Sequence, residues 1–194
     1  TPIILMVILG VAGMIIPVIN VLRRERGSST FYGAIAFGAL LLALGFVIFQ
    51  FYDDNLAPAA VFSEDVLADD GFGSFFAIAM LIVSIMTVAG SFNYMRKRSN
   101  PAIYFSLILL SSIGMVLIAF ATDLVMLFVA WELMSIPTYI LAGFNKKNPS
   151  SNEAAIKYFL FGALSYGIII YGISLAYGIT GSTNIGDVIY GFAN

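Results

Sequence analysis

Apolar residues run through this chain in six long blocks separated by short polar or charged stretches. The blocks are Pro2–Leu22, Phe31–Tyr52, Ser74–Tyr94, Pro101–Ala121, Asp123–Phe144 and Ala154–Ile179. Each reaches the roughly 20 apolar residues that a helix needs to cross the hydrocarbon core of a bilayer. Runs such as Ile35–Phe49 show no alternation of polar and apolar positions, which argues against transmembrane β-barrel strands. Open strands in lipid would leave backbone groups unpaired, so helices are the predicted element throughout. The predicted fold class is an all-α polytopic membrane protein with six transmembrane helices.

Local signals sharpen some boundaries. Pro101 after Ser99 and Asn100 predicts the start of the fourth helix, because proline is preorganised for the first helical position. Ser150 followed by Glu153 reads as a capping box, with Pro149 just ahead, and predicts that the sixth helix begins near Ser151. The second loop holds Pro58 and an Asp69-Asp70-Gly71 turn and has room for a short amphipathic segment over Ala59–Leu67. It reads as a solvated acidic connector. Small residues at Gly10, Gly13, Ala34, Gly38, Gly162, Gly167 and Gly172 predict close helix–helix approach, their usual role in lipid.

Composition narrows the chemistry. The chain has 194 residues, 60% of them hydrophobic and only 10% charged, too few to coat a water-soluble fold of this size. It contains no Cys and no His, so disulfides, thiolate-bound iron–sulfur clusters, cysteine nucleophiles and the usual haem ligand are excluded. Any redox cofactor is therefore expected on another chain. No Gly-x-x-x-x-Gly-Lys phosphate cradle is present, which argues against an ATP-driven pump.

The charges sort by side. Loop one carries Arg23, Arg24 and Arg26, loop three carries Arg96, Lys97 and Arg98, and loop five carries Lys146 and Lys147. Loop two carries Asp53, Asp54, Glu64, Asp65, Asp69 and Asp70 with no basic residue, and the turn after Ala121 carries only Asp123. By the positive-inside rule the basic loops are cytoplasmic, and the N-terminus and the residues after Thr180 lie outside. The expected location is the cytoplasmic membrane of a prokaryote, or the mitochondrial inner membrane in a eukaryote. The basic residues are spread over these loops, and no nucleic-acid partner is expected.

Two charges fall inside the spans. Glu132 lies near mid-membrane, where a charged side chain costs about 2.5–3.5 kcal/mol on insertion scales. It is either a structural carboxylate bonded to a neighbouring helix or a proton carrier. Lys157 lies roughly two turns into the sixth helix. It either snorkels to the cytoplasmic interface or turns toward Glu132, from which it differs in depth by roughly 8 Å. A lysine brought close favours the ionised carboxylate and releases its proton, and withdrawal favours uptake. Pro137, five residues after Glu132, removes a helical hydrogen bond and can open backbone carbonyls to water or an adjoining helix. Tyr158, Tyr166, Tyr171 and Tyr177 enrich the sixth helix in hydroxyls; the outer ones suit interface anchoring, and the inner ones could join a polar path.

The stretches Trp131-Glu132-Leu133-Met134-Ser135-Ile136-Pro137-Thr138-Tyr139 and Glu153-Ala154-Ala155-Ile156-Lys157-Tyr158-Phe159-Leu160-Phe161-Gly162-Ala163, with the Leu-Tyr-Gly-rich run to Ser182, carry a resemblance. They resemble the antiporter-like membrane subunits of respiratory complex I, most closely subunit N, the homologue of mitochondrial subunit 2, with its archaeal coenzyme F(420)- or ferredoxin-linked relatives. The resemblance is concentrated in Ala121–Thr183 and is loose before Pro101. It implies a fold of about fourteen helices built on two inverted repeats with flanking helices. On that pattern residues 1–100 correspond to three flanking helices with an acidic external loop at 53–73. Residues 101–194 correspond to an incomplete first five-helix repeat ending in an external tail, so the 194 residues are expected to be part of a longer subunit. The resemblance places Glu132 and Lys157 on a proton path; from their own position and chemistry Pro137, Tyr158 and Tyr166 are expected to support it. Tyr166 stands where relatives often carry a small residue.

The function implied is that of a non-redox, proton-translocating membrane subunit of a complex I-like oxidoreductase. Iron–sulfur clusters, flavin and a quinone-like acceptor are expected on other membrane and peripheral subunits, and the lipid bilayer and protons are further partners. A subunit of a multisubunit cation/proton antiporter is the alternative, and a membrane scaffold in which both charges merely pair is a third.

Overall fold

The computed structural model describes residues 2–22, 28–52, 66–96 and 98–193. The arginines of loop one, Lys97 and residues 59–65 of the expected amphipathic segment lie outside the described residues. Six helices are long and apolar enough to span a membrane: α1 (Pro2–Leu22), α2 (Ser29–Tyr52), α3 (Gly71–Met95), α4 (Pro101–Phe120), α5 (Leu124–Ala142) and α6 (Pro149–Thr180). A short α7 (Ile185–Ala193) follows within the segment expected to be an external tail. Among the described residues there is no β-strand, only two isolated bridges.

The hub of the bundle is α4. Thirteen of its twenty residues are buried, and it packs against α1, α2, α3 and α5. Serines supply polar contacts within this apolar core. Ser106 Oγ donates to the Gly13 carbonyl of α1 at 2.5 Å, and Ser112 Oγ donates to Ser84 Oγ of α3 at 2.9 Å. Such hydrogen bonds contribute modestly, about 0.6 kcal/mol on average in a membrane protein, but they fix rotation between helices that are equally apolar on all sides. By contrast α6 rests on α5 and α7 and has no buried residue.

Caps explain where the boundaries differ from the sequence expectation. The sixth helix starts at Pro149, not near Ser151: Asn148 is its N-cap, Oδ1 accepting Ser150 N–H at 3.1 Å, with proline at the first helical position. The expected capping box is not formed. Glu153 instead takes Lys157, and Ser151 Oγ donates to the Ala142 carbonyl at 2.7 Å. The third helix likewise starts at Gly71 instead of Ser74, because Asp70 caps it by accepting Gly73 N–H at 2.7 Å. Pro101 does open α4.

One end of the bundle is knitted by backbone bonds across three connections. Ala68 N–H donates to Phe120 O and Thr122 N–H to Val66 O, while Leu124 N–H donates to Thr183 O and Ile185 N–H to Thr122 O. Asp123 anchors this knot. Its Oδ1 accepts Val125 N–H at 2.8 Å and Met126 N–H at 2.9 Å, and its Oδ2 accepts the Thr183 hydroxyl at 2.5 Å. An Asp123→Ala variant is expected to lose about 1–2 kcal/mol, the upper range of an N-cap loss, because the tie to the α6–α7 connection goes with the cap. Thermal unfolding in detergent measures this, and Asp123→Asn should retain most of the stability.

Small residues divide by what they face. Gly13 lies against Leu109, and Gly10 against Ile113, as expected. Ala34 is exposed, and Gly38, Gly167 and Gly172 meet nothing within 4 Å, so they mediate no approach among the described residues. Gly33 fills the role beside Ala34, against Phe92 and Phe105.

Candidate functional site

Glu132 sits eight residues after the first residue of α5 and ten before its last, about 12 Å and 15 Å along the axis. It is half-buried, and among the described residues it makes no hydrogen bond or ion pair. Its face can be read from its neighbours. Val125, Val129, Ile136 and Ile140 recur at helical spacing as an exposed stripe, and Glu132 falls on that stripe three residues after Val129 and four before Ile136. Ala130, which faces α4 at the Gly114 contact, is fully buried.

Lys157 is not brought to Glu132. Its Nζ lies 2.5 Å from Glu153 Oε1 one turn earlier in α6, with both side chains exposed. Helical side chains lean toward their own N-terminus, and α6 starts in the basic loop, so Lys157 leans toward that loop and away from mid-membrane. An exposed pair of this kind contributes little to stability.

Pro137 is buried and α5 continues through it. Proline removes the N–H that would bond the Leu133 carbonyl. Next to that gap the Met134 carbonyl accepts Ser111 Oγ of α4 at 3.0 Å, so the adjoining helix meets the backbone where the ladder is interrupted.

The seam between α5 and α6 holds hydroxyls that the sequence reading only partly anticipated. Tyr166 hydrogen-bonds to Tyr139, with the two phenol oxygens in direct contact. Tyr158 packs its ring edge-on to Tyr139 at 4.7 Å between centroids, and Thr138 Oγ1 reaches the Tyr158 hydroxyl at 3.4 Å. Tyr171 and Tyr177 are exposed. Tyr139 is the buried centre, and Gly162 makes room for it: a Cβ there would stand 2.1 Å from the Tyr139 phenol oxygen. Sequence reasoning passed over Tyr139 and Ser135. The available signal was their spacing, three and seven residues after Glu132, which puts them near it on α5.

Arg98, Lys146 and Lys147 line a cleft of about 510 Å³ beside the first turn of α4 and the end of α5. The acidic Asp69, Asp70 and Asp123 belong to connections at the opposite ends of α3, α4 and α5. Among the described residues no group of three His, Cys, Asp or Glu side chains comes together to hold a metal ion.

Residues 121–192 match the profile of a family described as NADH:quinone oxidoreductase/Mrp antiporter, transmembrane. The chain is 38% identical to NADH-quinone oxidoreductase subunit N of Trichlorobacter lovleyi over 185 residues, covering 94% of this chain and 36% of that protein. It is also 38% identical over 125 residues to F(420)H(2) dehydrogenase subunit N of Methanosarcina mazei, covering 64% of this chain and 25% of that one. The chain thus spans about a third of the length of its full-coverage relatives. Among solved structures, a chain of respiratory complex I from Thermus thermophilus superposes with a TM-score of 0.76 at 28% identity, covering 94% of this chain and 38% of that one. An archaeal membrane-bound sulfane sulfur reductase shares the fold, with a TM-score of 0.79 at 21% identity over 96% of this chain and 39% of that one. The likeness carried by Trp131–Tyr139 and Glu153–Ala163 is borne out, and so is the all-helical membrane fold. The match to subunit N relatives extends well before Pro101, further than the residues themselves had suggested.

Proposed function

We propose that this chain is a proton-translocating membrane subunit of a complex I-like redox pump, in which electron transfer on partner subunits drives charge movement around Glu132. The observation that carries the proposal is Glu132 itself: a half-buried carboxylate near mid-membrane without a hydrogen bond or ion pair among the described residues, inside the segment that matches the redox and antiporter family. A purely structural carboxylate would hold a partner, because the cost of about 2.5–3.5 kcal/mol for an intramembrane charge is otherwise unrelieved. A carboxylate that takes up and gives away a proton needs no fixed one. On this reading the outward stripe of α5 that bears Glu132 is covered by protein in the assembled membrane complex.

In this proposal Lys157 supplies the movable charge. In the pose described, its ammonium is held by Glu153, on the side of the basic loop. Release from Glu153 and extension toward mid-membrane would favour ionised Glu132 and expel its proton. Pro137 gives α5 a place to bend, and Tyr158 and Tyr166 contribute hydroxyls beside it. Flavin, iron–sulfur clusters and a quinone-like acceptor belong to the partners. The proposed setting is a prokaryotic cytoplasmic membrane, with the ends bearing Arg98, Lys146 and Lys147 inside.

The test is to purify the tagged native subunit in mild detergent and look for co-purifying reductase activity with iron–sulfur or flavin absorbance. Both are expected. A colourless particle without reductase activity that exchanges sodium for protons would instead identify a multisubunit cation/proton antiporter, the function named alongside the oxidoreductase in the matching family.

A further inference from the structure

The cleft at the basic end of the bundle, about 510 Å³, falls within the size range of small-molecule sites. The α3–α4 connection supplies Arg98 to it, and the α5–α6 connection supplies Lys146 and Lys147. No carboxylate lines it. Among the described residues the one acid at this end, Glu153, is held by Lys157, and the three cations make no ion pair. A cleft walled by one sign of charge focuses its field and draws in an anion.

The cations are held in place, which separates the cleft from a merely basic surface. The Arg98 guanidinium stacks on Tyr94, 4.1 Å from the ring centroid. Tyr94 packs against Tyr104 at 6.0 Å between centroids, and Tyr104 meets Phe144 edge-on at 5.1 Å. Phe144 lines the cleft as well, so an aromatic row ties the α3–α4 connection to the end of α5. Stacking uses the face of the guanidinium and leaves its in-plane N–H fork for a phosphate, which it can meet in two parallel bonds. Across the cleft, the Lys146 carbonyl accepts Asn152 Nδ2–H at 3.1 Å and the Asn145 carbonyl accepts Asn148 N–H at 2.9 Å, steadying the backbone that bears both lysines. The positive end of α4, where Asn100 makes no side-chain cap, adds to the same field.

The apolar lining selects among anions. Ile103 of α4 and Ile140 of α5 line the cleft, are exposed, and belong to helices long and apolar enough to cross a membrane. A ligand that fits both parts carries phosphate at one end and hydrocarbon at the other. Ile140 lies eight residues, about 12 Å, from Glu132 toward the basic end, so protein that covers Glu132 can leave the cleft open to lipid.

We propose that this cleft binds the phosphate headgroup of an anionic phospholipid, with Arg98, Lys146 and Lys147 on the phosphate and the acyl chains over Ile103 and Ile140. Basic pockets between membrane helices suit such headgroups. The site requires neither Glu132 nor Lys157, so it stands apart from the proposed proton path.

The experiment uses the full-length subunit in its native complex, delipidated in detergent and placed in phosphatidylcholine nanodiscs that contain a photoactivatable phosphatidylglycerol. After illumination, mass spectrometry reads the label on the peptides holding Ile103 and Ile140. Labelling is expected to be competed by unlabelled phosphatidylglycerol but not by inorganic phosphate, and to exceed that by photoactivatable phosphatidylcholine about tenfold. Arg98→Gln, Lys146→Gln and Lys147→Gln should each weaken the apparent affinity about fivefold. Arg98→Lys should restore only part of it, because an ammonium keeps the charge and loses the fork. Arg96→Gln removes a charge from the same connection but outside the cleft, and should label like the parent. An equal loss in Arg96→Gln would leave only attraction to a basic surface, and equal competition by inorganic phosphate would leave only a free-anion site; either overturns the proposal. Labelling no stronger than with phosphatidylcholine also overturns it, and cross-links from Lys146 or Lys147 to carboxylates of another subunit would then identify an acidic protein surface as the occupant.

Discussion

Glu132→Gln is expected to abolish proton translocation, by about a hundredfold or more, while leaving the assembly intact. Glutamine preserves the length and shape of the side chain and removes its exchangeable acid proton, so the variant separates charge from packing. The sign of the stability change is informative as well. A carboxylate engaged in a structural ion pair would lose that pair, and the protein would become less stable. Glu132 holds no such pair among the described residues, so replacing it by a neutral amide should leave the melting temperature unchanged or raise it. Glu132→Asp keeps the acid but withdraws it by one methylene, and intermediate pumping is expected. Outward movement of each charge works against about 2.3 kcal/mol per 100 mV of membrane potential, so the defect should show most clearly under an imposed potential. Full coupling in the Gln variant would show that Glu132 is not the proton carrier.

Gly114→Ala is expected to destabilise the bundle by about 3 kcal/mol or more. The added Cβ would stand 2.3 Å from Met134 N and 2.7 Å from both the Ala130 carbonyl oxygen and Met134 Cα. All three are backbone atoms, so no rotamer change relieves the contact and α4 must separate from α5. Alanine gains about 1 kcal/mol in intrinsic helix propensity over glycine, which the clash exceeds. Gly90→Ala is the matched control, because nothing lies within 4 Å of that position. It should be neutral or slightly stabilising. Unfolding in detergent compares the two. Ala130 and Met134 flank Glu132 by two residues on either side, so the displaced α5 in Gly114→Ala should also impair proton uptake.

Much of the fold was legible because lipid imposes strong rules. Six apolar blocks of the right length became six helices, since only helices and closed barrels satisfy their backbone hydrogen bonds in hydrocarbon and these blocks lack the alternation of barrel strands. Pro101 marked a helix start for a similarly local reason. The start of α6 was misplaced because two caps compete there. Ser150 and Glu153 spell a capping box, but Asn148 followed by Pro149 caps earlier, and Glu153 is then free to hold Lys157. The glycines were only partly legible. Gly13 and Gly38 look alike in sequence, yet one faces α4 and the other meets nothing, because an evenly apolar helix carries no mark of which side has a neighbour.

Sequence alone determined the solvent of this chain, its helices, the segregation of its loop charges and the rare carboxylate at mid-membrane. These depend on composition and on spacing along one helix. Tertiary structure decided which side each helix turns and what each polar group meets. It put Gly114 against the backbone of α5, set Tyr139 into the space over Gly162 against Tyr166, and left Lys157 with Glu153. Those contacts depend on how one helix rotates against the next, and in a bundle of nearly uniform apolarity that rotation is fixed by small residues and a few hydroxyls from different parts of the chain.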